Sequence, residues 1–167
     1  SPSSYLGLVK KLPTINYGNR LLILDNIQDP GNLGTIIRSA VAFNVDALIL
    51  GNDCVDLYND KTIRSSEGML FKLNILREDL NTFLKDLNNN NYTIYGTNVV
   101  NGHILGDIKF PKKYAIVIGN EGNGMKTNLK NLVDQNIYIP MSPQAESLNA
   151  GIAASIIMYE MSKNDYE

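Results

Sequence analysis

Three loops hold most of the residues whose types and spacing can do chemistry. The first, Asp25-Asn26-Ile27-Gln28-Asp29-Pro30-Gly31-Asn32-Leu33-Gly34, leads into Thr35-Ile36-Ile37-Arg38-Ser39-Ala40. Asp29-Pro30-Gly31 reads as a turn and Asn32 as the cap of the helix that follows. Arg38 lies six residues further on, nearly two turns, and is expected on roughly the same side as Asn32. A capped turn with a surface arginine accounts for the same residues. The second loop, Gly119-Asn120-Glu121-Gly122-Asn123-Gly124-Met125, follows Ala115-Ile116-Val117-Ile118. Its glycines permit positive φ and close approach of a ligand to the backbone. Glu121 would repel an anion and suits a cationic or hydroxylated ligand better, although a tight turn alone also uses such glycines. The third runs from Ile139 through Pro140, Met141, Ser147, Leu148 and Asn149 into the stretch Ala150–Tyr159. Two prolines stiffen it, Ser147 reads as the helix cap, and small residues at the helix start allow close packing against another backbone.

Elements must exist to hold these loops. Apolar runs at 21–24, 47–50, 92–95, 115–118 and 136–139 are mostly continuous rather than alternating, as in strands covered on both faces. Between them, helical spacing appears at about 32–43, 61–70, 77–89, 125–132 and 147–162; Leu80, Phe83, Leu84 and Leu87 are the clearest case. Alternation of strand and helix predicts an α/β domain with a mostly parallel sheet flanked by helices, whose ligand site lies beyond the carboxyl ends of the strands. Residues 1–13 read as a linker or short helix and 14–167 as the domain itself; the abrupt start suggests that a preceding segment is missing.

Composition narrows the chemistry. With 167 residues and 44% hydrophobic content, the chain is long enough to bury a core. No apolar run approaches the ~20 residues of a bilayer span, so no membrane partner is expected. One His and one Cys leave too few ligands for a zinc site, and no metal is expected. His103 stands apart from any nucleophile elbow, and neither a P-loop nor a dinucleotide fingerprint is present. A lone Cys54 makes a reducing, cytoplasmic setting the default. A net charge of −2 argues against a freestanding basic nucleic-acid binder. Lys10, Lys11, Arg20, Lys61, Arg64 and Lys72 are the candidates for phosphate contact.

In this order, LDNIQDPGNLGTIIRSA, IVIGNEGNGM and IPMSPQAESLNAGIAASI resemble the three signature motifs of the SpoU/TrmH family, in the SPOUT class of S-adenosylmethionine-dependent RNA 2′-O-ribose methyltransferases. The intervening VDLYNDKTIRSSEGMLFKLNI resembles the ribosomal-RNA-directed members in particular, and the likeness runs from residue 5 to about 162. The third motif departs from the common text, with SLNAG for SLNVS and PQAE for a shorter glycine-containing stretch.

The resemblance implies a C-terminal deep trefoil knot, a homodimer with the knot and last helix at its interface, and a separate N-terminal RNA-binding domain in many members. It implies S-adenosylmethionine in the knot cleft, its adenine and ribose held mainly by backbone groups at Thr97, Gly119, Ile139, Met141 and Leu148, with Asn98, Asn120, Glu121 and Gly122 adjoining. It associates Asn32, Arg38, Glu121, Ser147 and Asn149 with catalysis. The implied target is a ribose 2′-hydroxyl of 23S ribosomal RNA; a tRNA ribose, or a module that binds donor or RNA without catalysis, are the alternatives. The family proposal makes Arg38 the base. Guanidinium groups titrate above ~12, and a phosphate nearby favours the charged form, so binding the target's phosphate and stabilising charge on the ribose oxygen is the more conservative role.

Overall fold

Five of the apolar runs become strands, and two strands appear that the sequence does not announce. The computed structural model describes residues 17–120 and 122–165; the expected linker at 1–13 lies outside them, as do Lys10 and Lys11. In chain order the elements are β1 (Arg20–Leu24), α1 (Pro30–Ala42), β2 (Ala47–Gly51), α2 (Asp60–Ser65), β3 (Asn74–Glu78), α3 (Leu80–Asn89), β4 (Thr93–Thr97), β5 (Gly102–Ile104), β6 (Tyr114–Ile118), α4 (Thr127–Lys130), β7 (Gln135–Tyr138) and α5 (Ala150–Ser162). They form one seven-stranded sheet in the order β3-β2-β1-β6-β4-β7-β5. Every pairing is parallel.

The continuous apolar text of β1, β2 and β6 follows from burial on both sides. Leu22, Leu24, Leu48, Leu50, Ile116 and Ile118 pack with α1 and α5, while Leu21, Ile23, Ala47, Ile49, Ala115 and Val117 pack with α3 and α4. Each fully buried aliphatic side chain of this kind contributes ~1.5–3 kcal/mol. The register Leu24↔Leu50 and Leu24↔Ile118 brings the carboxyl ends of the three strands level, so the loops that follow them emerge together.

The two unannounced strands are edges. β3 pairs only with β2 and is partly exposed, so it lacks an apolar run. Its residues also overlap the helical spacing expected from 77; α3 begins only at Leu80, after Asp79 accepts a hydrogen bond from Thr82 N. β5 has three residues and pairs only with β7. The helix expected over 61–70 is interrupted: Glu67 (φ 49) and Gly68 (φ 79) are left-handed, and a 3-10 turn over Met69–Phe71 follows. The expected helix at 125–132 shrinks to α4, and the last helix starts at Ala150 rather than 147.

One connection is unusual. β7 lies between β4 and β5, so the four residues 98–101 joining those two strands must cross it. Asn98 N donates to Ile137 O (3.0 Å) and Asn136 Nδ2 to Val100 O (3.1 Å), tying the crossing to β7. Parallel neighbours ordinarily need a dozen or more residues between them, and connections rarely cross. Among the described residues no helix is long and apolar enough to span a membrane.

Gly34 sets the distance between α1 and α2. A Cβ there would lie 1.9 Å from Ser65 Oγ and 2.9 Å from the Ser65 carbonyl carbon. Ordinarily Gly→Ala in a helix gains ~1 kcal/mol of propensity. Here overpacking decides the sign, and Gly34→Ala is expected to lose ~1–3 kcal/mol in urea unfolding. Ser65→Gly should recover only part of the loss, because the backbone contact remains; a neutral or stabilising Gly34→Ala would contradict this packing.

Candidate active site

The glycine loop after β6 is fixed at both ends. Asn120 and Gly124 exchange backbone hydrogen bonds (Asn120 N to Gly124 O 3.1 Å, Gly124 N to Asn120 O 2.9 Å), and Asn120 Oδ1 accepts from Gly122 N (3.0 Å) and Asn123 N (3.2 Å). Asn120 Nδ2 donates to Asn26 O at the tip of β1 (2.9 Å). Gly119 permits the closure, since a Cβ there would sit 2.2 Å from Met125 N. The Thr97 hydroxyl donates to Val117 O (3.1 Å) and accepts from Gly119 N (3.5 Å), joining β4 to the start of the loop. Glu121 lies outside the described residues.

At its far end the loop is strapped by charge. Asp25, 1% exposed, accepts from Lys126 N (2.8 Å), and Lys126 Nζ lies 3.7 Å from Asp25 Oδ1 while hydrogen-bonding Asp53. The Asp53 carboxylate, followed by that of Asp25, raises the Lys126 ammonium above its usual range, outweighing partial burial. Asp53 belongs to a loop held by Arg77, whose guanidinium donates to the carbonyls of Gly51, Asn52, Cys54 and Val55. Cys54 is a buried free thiol that donates to Leu24 O (3.2 Å); burial raises its pKa.

Both expected helix caps move. Pro30 takes the first helical position of α1, where its missing N–H costs nothing, and the cap falls on Asp29, whose Oδ1 accepts from Asn32 N (2.7 Å). That hydrogen bond is the main cause holding the Asp29 carboxyl below its usual range. The cap of α5 is Asn149, not Ser147: its Oδ1 accepts from Gly151 N (2.9 Å) and Ile152 N (3.2 Å). Asn149 Nδ2 donates to Asn32 Oδ1 (2.9 Å), so the two asparagines lock α1 to α5. Ser39 Oγ and Ser155 Oγ lie 2.7 Å apart between the same helices. Arg38 does not share the side of Asn32: six residues at 3.6 per turn leave them about 120° apart. Its Nη1 instead lies 3.1 Å from Glu67 Oε1, both side chains being largely exposed.

Between the tips of β4, β6 and β7 and the start of α5 is a cavity of about 230 Å³. Thr97, Asn98, Gly119, Asn120, Ile139, Met141, Ser147 and Leu148 all line it. Asn32, Arg38, Asn149 and Gly122 are not in its lining. Sequence reasoning missed Leu105, Ala150, Ala153 and Ile157 as further walls. The last three recur along α5 with helical spacing that was readable, whereas Leu105 follows the unannounced β5. Of the other expected phosphate contacts, Arg20 is at the opposite end of β1 and pairs with Asp165, Lys61 pairs with Asp29, and Arg64 and Lys72 are exposed.

The cavity combines apolar walls with exposed peptide groups. Its walls are largely aliphatic, and among the described residues the peptide groups of Met141 and Leu148 have no hydrogen-bond partner. Backbone donors and acceptors presented beside aliphatic surface fit a heterocycle that is stacked on its faces and hydrogen-bonded at its edge. Among the described residues, no group of three His, Cys, Asp or Glu is placed to hold a metal.

The chain matches the SpoU rRNA Methylase family over residues 19–159. It is 39% identical over 142 residues to the 23S rRNA (guanosine(2553)-2′-O)-methyltransferase RlmP of Bacillus subtilis, covering 85% of this chain and 57% of that protein. An AdoMet-bound rRNA methyltransferase from Sinorhizobium meliloti superposes with a TM-score of 0.84 at 29% identity, over 89% of this chain and 57% of that one. AviRb of Streptomyces viridochromogenes, a SpoU methyltransferase in complex with AdoMet, gives 0.80 at 31% identity, over 92% and 60%. The chain thus spans little more than half the length of these relatives.

Two expectations follow from the caps. Asn149→Ala should lower stability by ~1 kcal/mol in thermal unfolding, and Asn149→Asp by much less, since a carboxylate still accepts from the helix N–H groups. Equal losses would mean that the bond to Asn32, which both variants remove, outweighs the cap. The depressed Asp29 pKa contributes stability that is complete above the ordinary value of 3.8 and is lost as pH falls through the folded-state value. Asp29→Asn, which caps without titrating, should flatten that part of the acid-unfolding curve; an unchanged curve would count against the assignment.

Proposed function

The chain belongs to the SpoU rRNA Methylase family, and from that footing we propose that it transfers a methyl group from S-adenosylmethionine to a ribose 2′-hydroxyl of RNA, with 23S ribosomal RNA as the target. One observation carries this reading: Thr97, Gly119, Ile139, Met141 and Leu148, far apart in the chain, meet around a single cavity. The unpaired peptide groups of Met141 and Leu148 fit the edge of an adenine, and the aliphatic walls fit its faces. When bound, S-adenosylmethionine supplies an activated sulfonium methyl.

The residues of the chain then have to bind, orient and manage one proton. Arg38 grips a phosphate of the target and stabilises negative charge developing on the ribose oxygen. Arginine keeps its proton at neutral pH, so this group works as a cation and the 2′-hydroxyl proton passes to water or phosphate. In this reading Asn32, whose Oδ1 accepts from Asn149 Nδ2, orients the ribose. Ser147 and Asn98 line the cavity, as do Gly119, Asn120 and Gly124 of the glycine loop to which Gly122 belongs.

A second copy of the chain completes the assembly in this reading. Ile152 and Tyr159 on α5 and Met141 at the cavity mouth are exposed apolar residues of the kind a dimer interface buries. The four-residue crossing over β7 supports the trefoil knot of the family. The buried free thiol of Cys54 is compatible with a cytoplasmic protein.

Arg38→Ala is expected to slow single-turnover methylation of unmethylated 23S ribosomal RNA by ~10²–10³-fold. Donor affinity, read by calorimetry, should stay near that of the parent. Equal rates for variant and parent would remove Arg38 from the reaction, and a parent that takes up no S-adenosylmethionine would remove the reaction itself. Mapping 2′-O-methyl sites in total RNA with and without the gene separates a ribosomal target from a transfer-RNA target.

A further inference from the structure

Glu67 is the acidic partner of Arg38, and its backbone is held in an unusual conformation to make it so. It sits at the break between α2 and the 3-10 turn with φ 49, a region disfavoured for a residue carrying a Cβ, and Gly68 follows with φ 79. Two left-handed residues in succession turn the chain back towards α1. Hydrogen bonds from Glu67 N to Arg64 O (3.2 Å) and from Met69 N to Ser66 O (2.9 Å) fix that reversal. The Glu67 carboxylate then meets the Arg38 guanidinium at 3.1 Å. Neither group lines the donor cavity. Local strain that persists in a folded chain tends to accompany function.

A carboxylate and a phosphodiester offer a guanidinium the same thing, a pair of anionic oxygens. The side chains of this pair are 51% and 65% exposed, so water screens it and its hold is shallow. We propose that Glu67 is a resident counter-ion for Arg38, which an RNA phosphate must replace before the ribose can be engaged. The reading rests on Arg38 as the phosphate-binding group. Glu67 therefore acts through Arg38 as a specificity-determining residue: it weakens capture of RNA at large, and only a strand that presents its phosphate to the whole guanidinium fork displaces it. The cost to a true substrate is small because the displaced carboxylate is already half solvated.

Fluorescence anisotropy with a short single-stranded RNA of mixed sequence, titrated at several KCl concentrations, tests this. Glu67→Gln and Glu67→Gly should both bind about two- to fivefold tighter at low salt. Their plots of log affinity against log salt should be steeper by about 0.7, one further phosphate contact no longer being offset. Asp86→Asn, the same charge change on exposed α3 across the sheet, should leave affinity and slope as in the parent. In an Arg38→Ala background Glu67→Gln should add nothing. The glycine variant accepts positive φ without strain, so tightening seen with glycine alone would trace to the backbone and overturn the proposal. Unchanged or weaker binding by Glu67→Gln, an equal effect from Asp86→Asn, or a parent that captures no RNA would each overturn it too. Calorimetry with S-adenosylmethionine on the same samples tells the two failures apart. A parent without donor binding brings down the methyltransferase reading, whereas normal donor binding with an unaltered salt slope brings down Glu67 alone.

Discussion

A sheet whose strands all run the same way must deliver every strand's carboxyl end to one rim. Here β1, β2 and β6 are buried on both faces and locked in register, so the loops after Leu24, Gly51 and Ile118 have no freedom to emerge anywhere else. The crossing of β7 by residues 98–101 then draws β4 and the 139–149 segment to the same rim. Everything with chemical potential in this chain follows from that constraint. The three loops are far apart in sequence, yet each is anchored to its neighbour: Asn120 to Asn26, Lys126 to Asp25 and Asp53, Asn149 to Asn32.

Two kinds of fixing are used, and they divide the site. On the cavity side most anchors are buried or neutral, namely a threonine hydroxyl, asparagine amides and the carboxylate of Asp25 taken out of water, with the Lys126–Asp53 pair the exposed exception. Such contacts hold a shape without inviting competition, which suits a pocket that must be ready before its ligand arrives. On the outer side the anchors are exposed ion pairs, Arg38 with Glu67 and Lys61 with Asp29. Exposed pairs are cheap to exchange, and an incoming polyanion meets cations that are oriented but not committed. In the proposed reaction the first region would hold a donor tightly and the second would sort RNA.

The helix caps show how local and tertiary forces share the work. A proline at the first turn of α1 shifts its cap to Asp29, which leaves the Asn32 side chain to reach across to α5. The α5 cap falls two residues later than the nearest serine, on Asn149, while the exposed Ser147 lines the cavity. Serine, asparagine and aspartate cap almost equally well, so propensity could not choose among them. The choice was made by which side chain had another partner within reach.

By itself the sequence determined the strands of the sheet's centre, the helices that cover it, the parallel topology and the identity of the three loops. These rest on local signals: continuous apolar runs, helical spacing at Leu80, Phe83, Leu84 and Leu87, and turn residues at fixed offsets. The cavity positions at 97, 119, 139, 141 and 148 were legible only through the likeness of whole motifs to a family. Tertiary structure alone decided the edge strands β3 and β5, the break at Glu67, the bond between Asn32 and Asn149, and the strap from Lys126 to two aspartates. The reason is common to all of them. An edge strand has a neighbour on one side only and stays partly exposed, and a contact between residues 117 or 101 positions apart leaves no period in the chain. Only the folded sheet, by bringing its strand ends to one rim, gives such residues each other as neighbours.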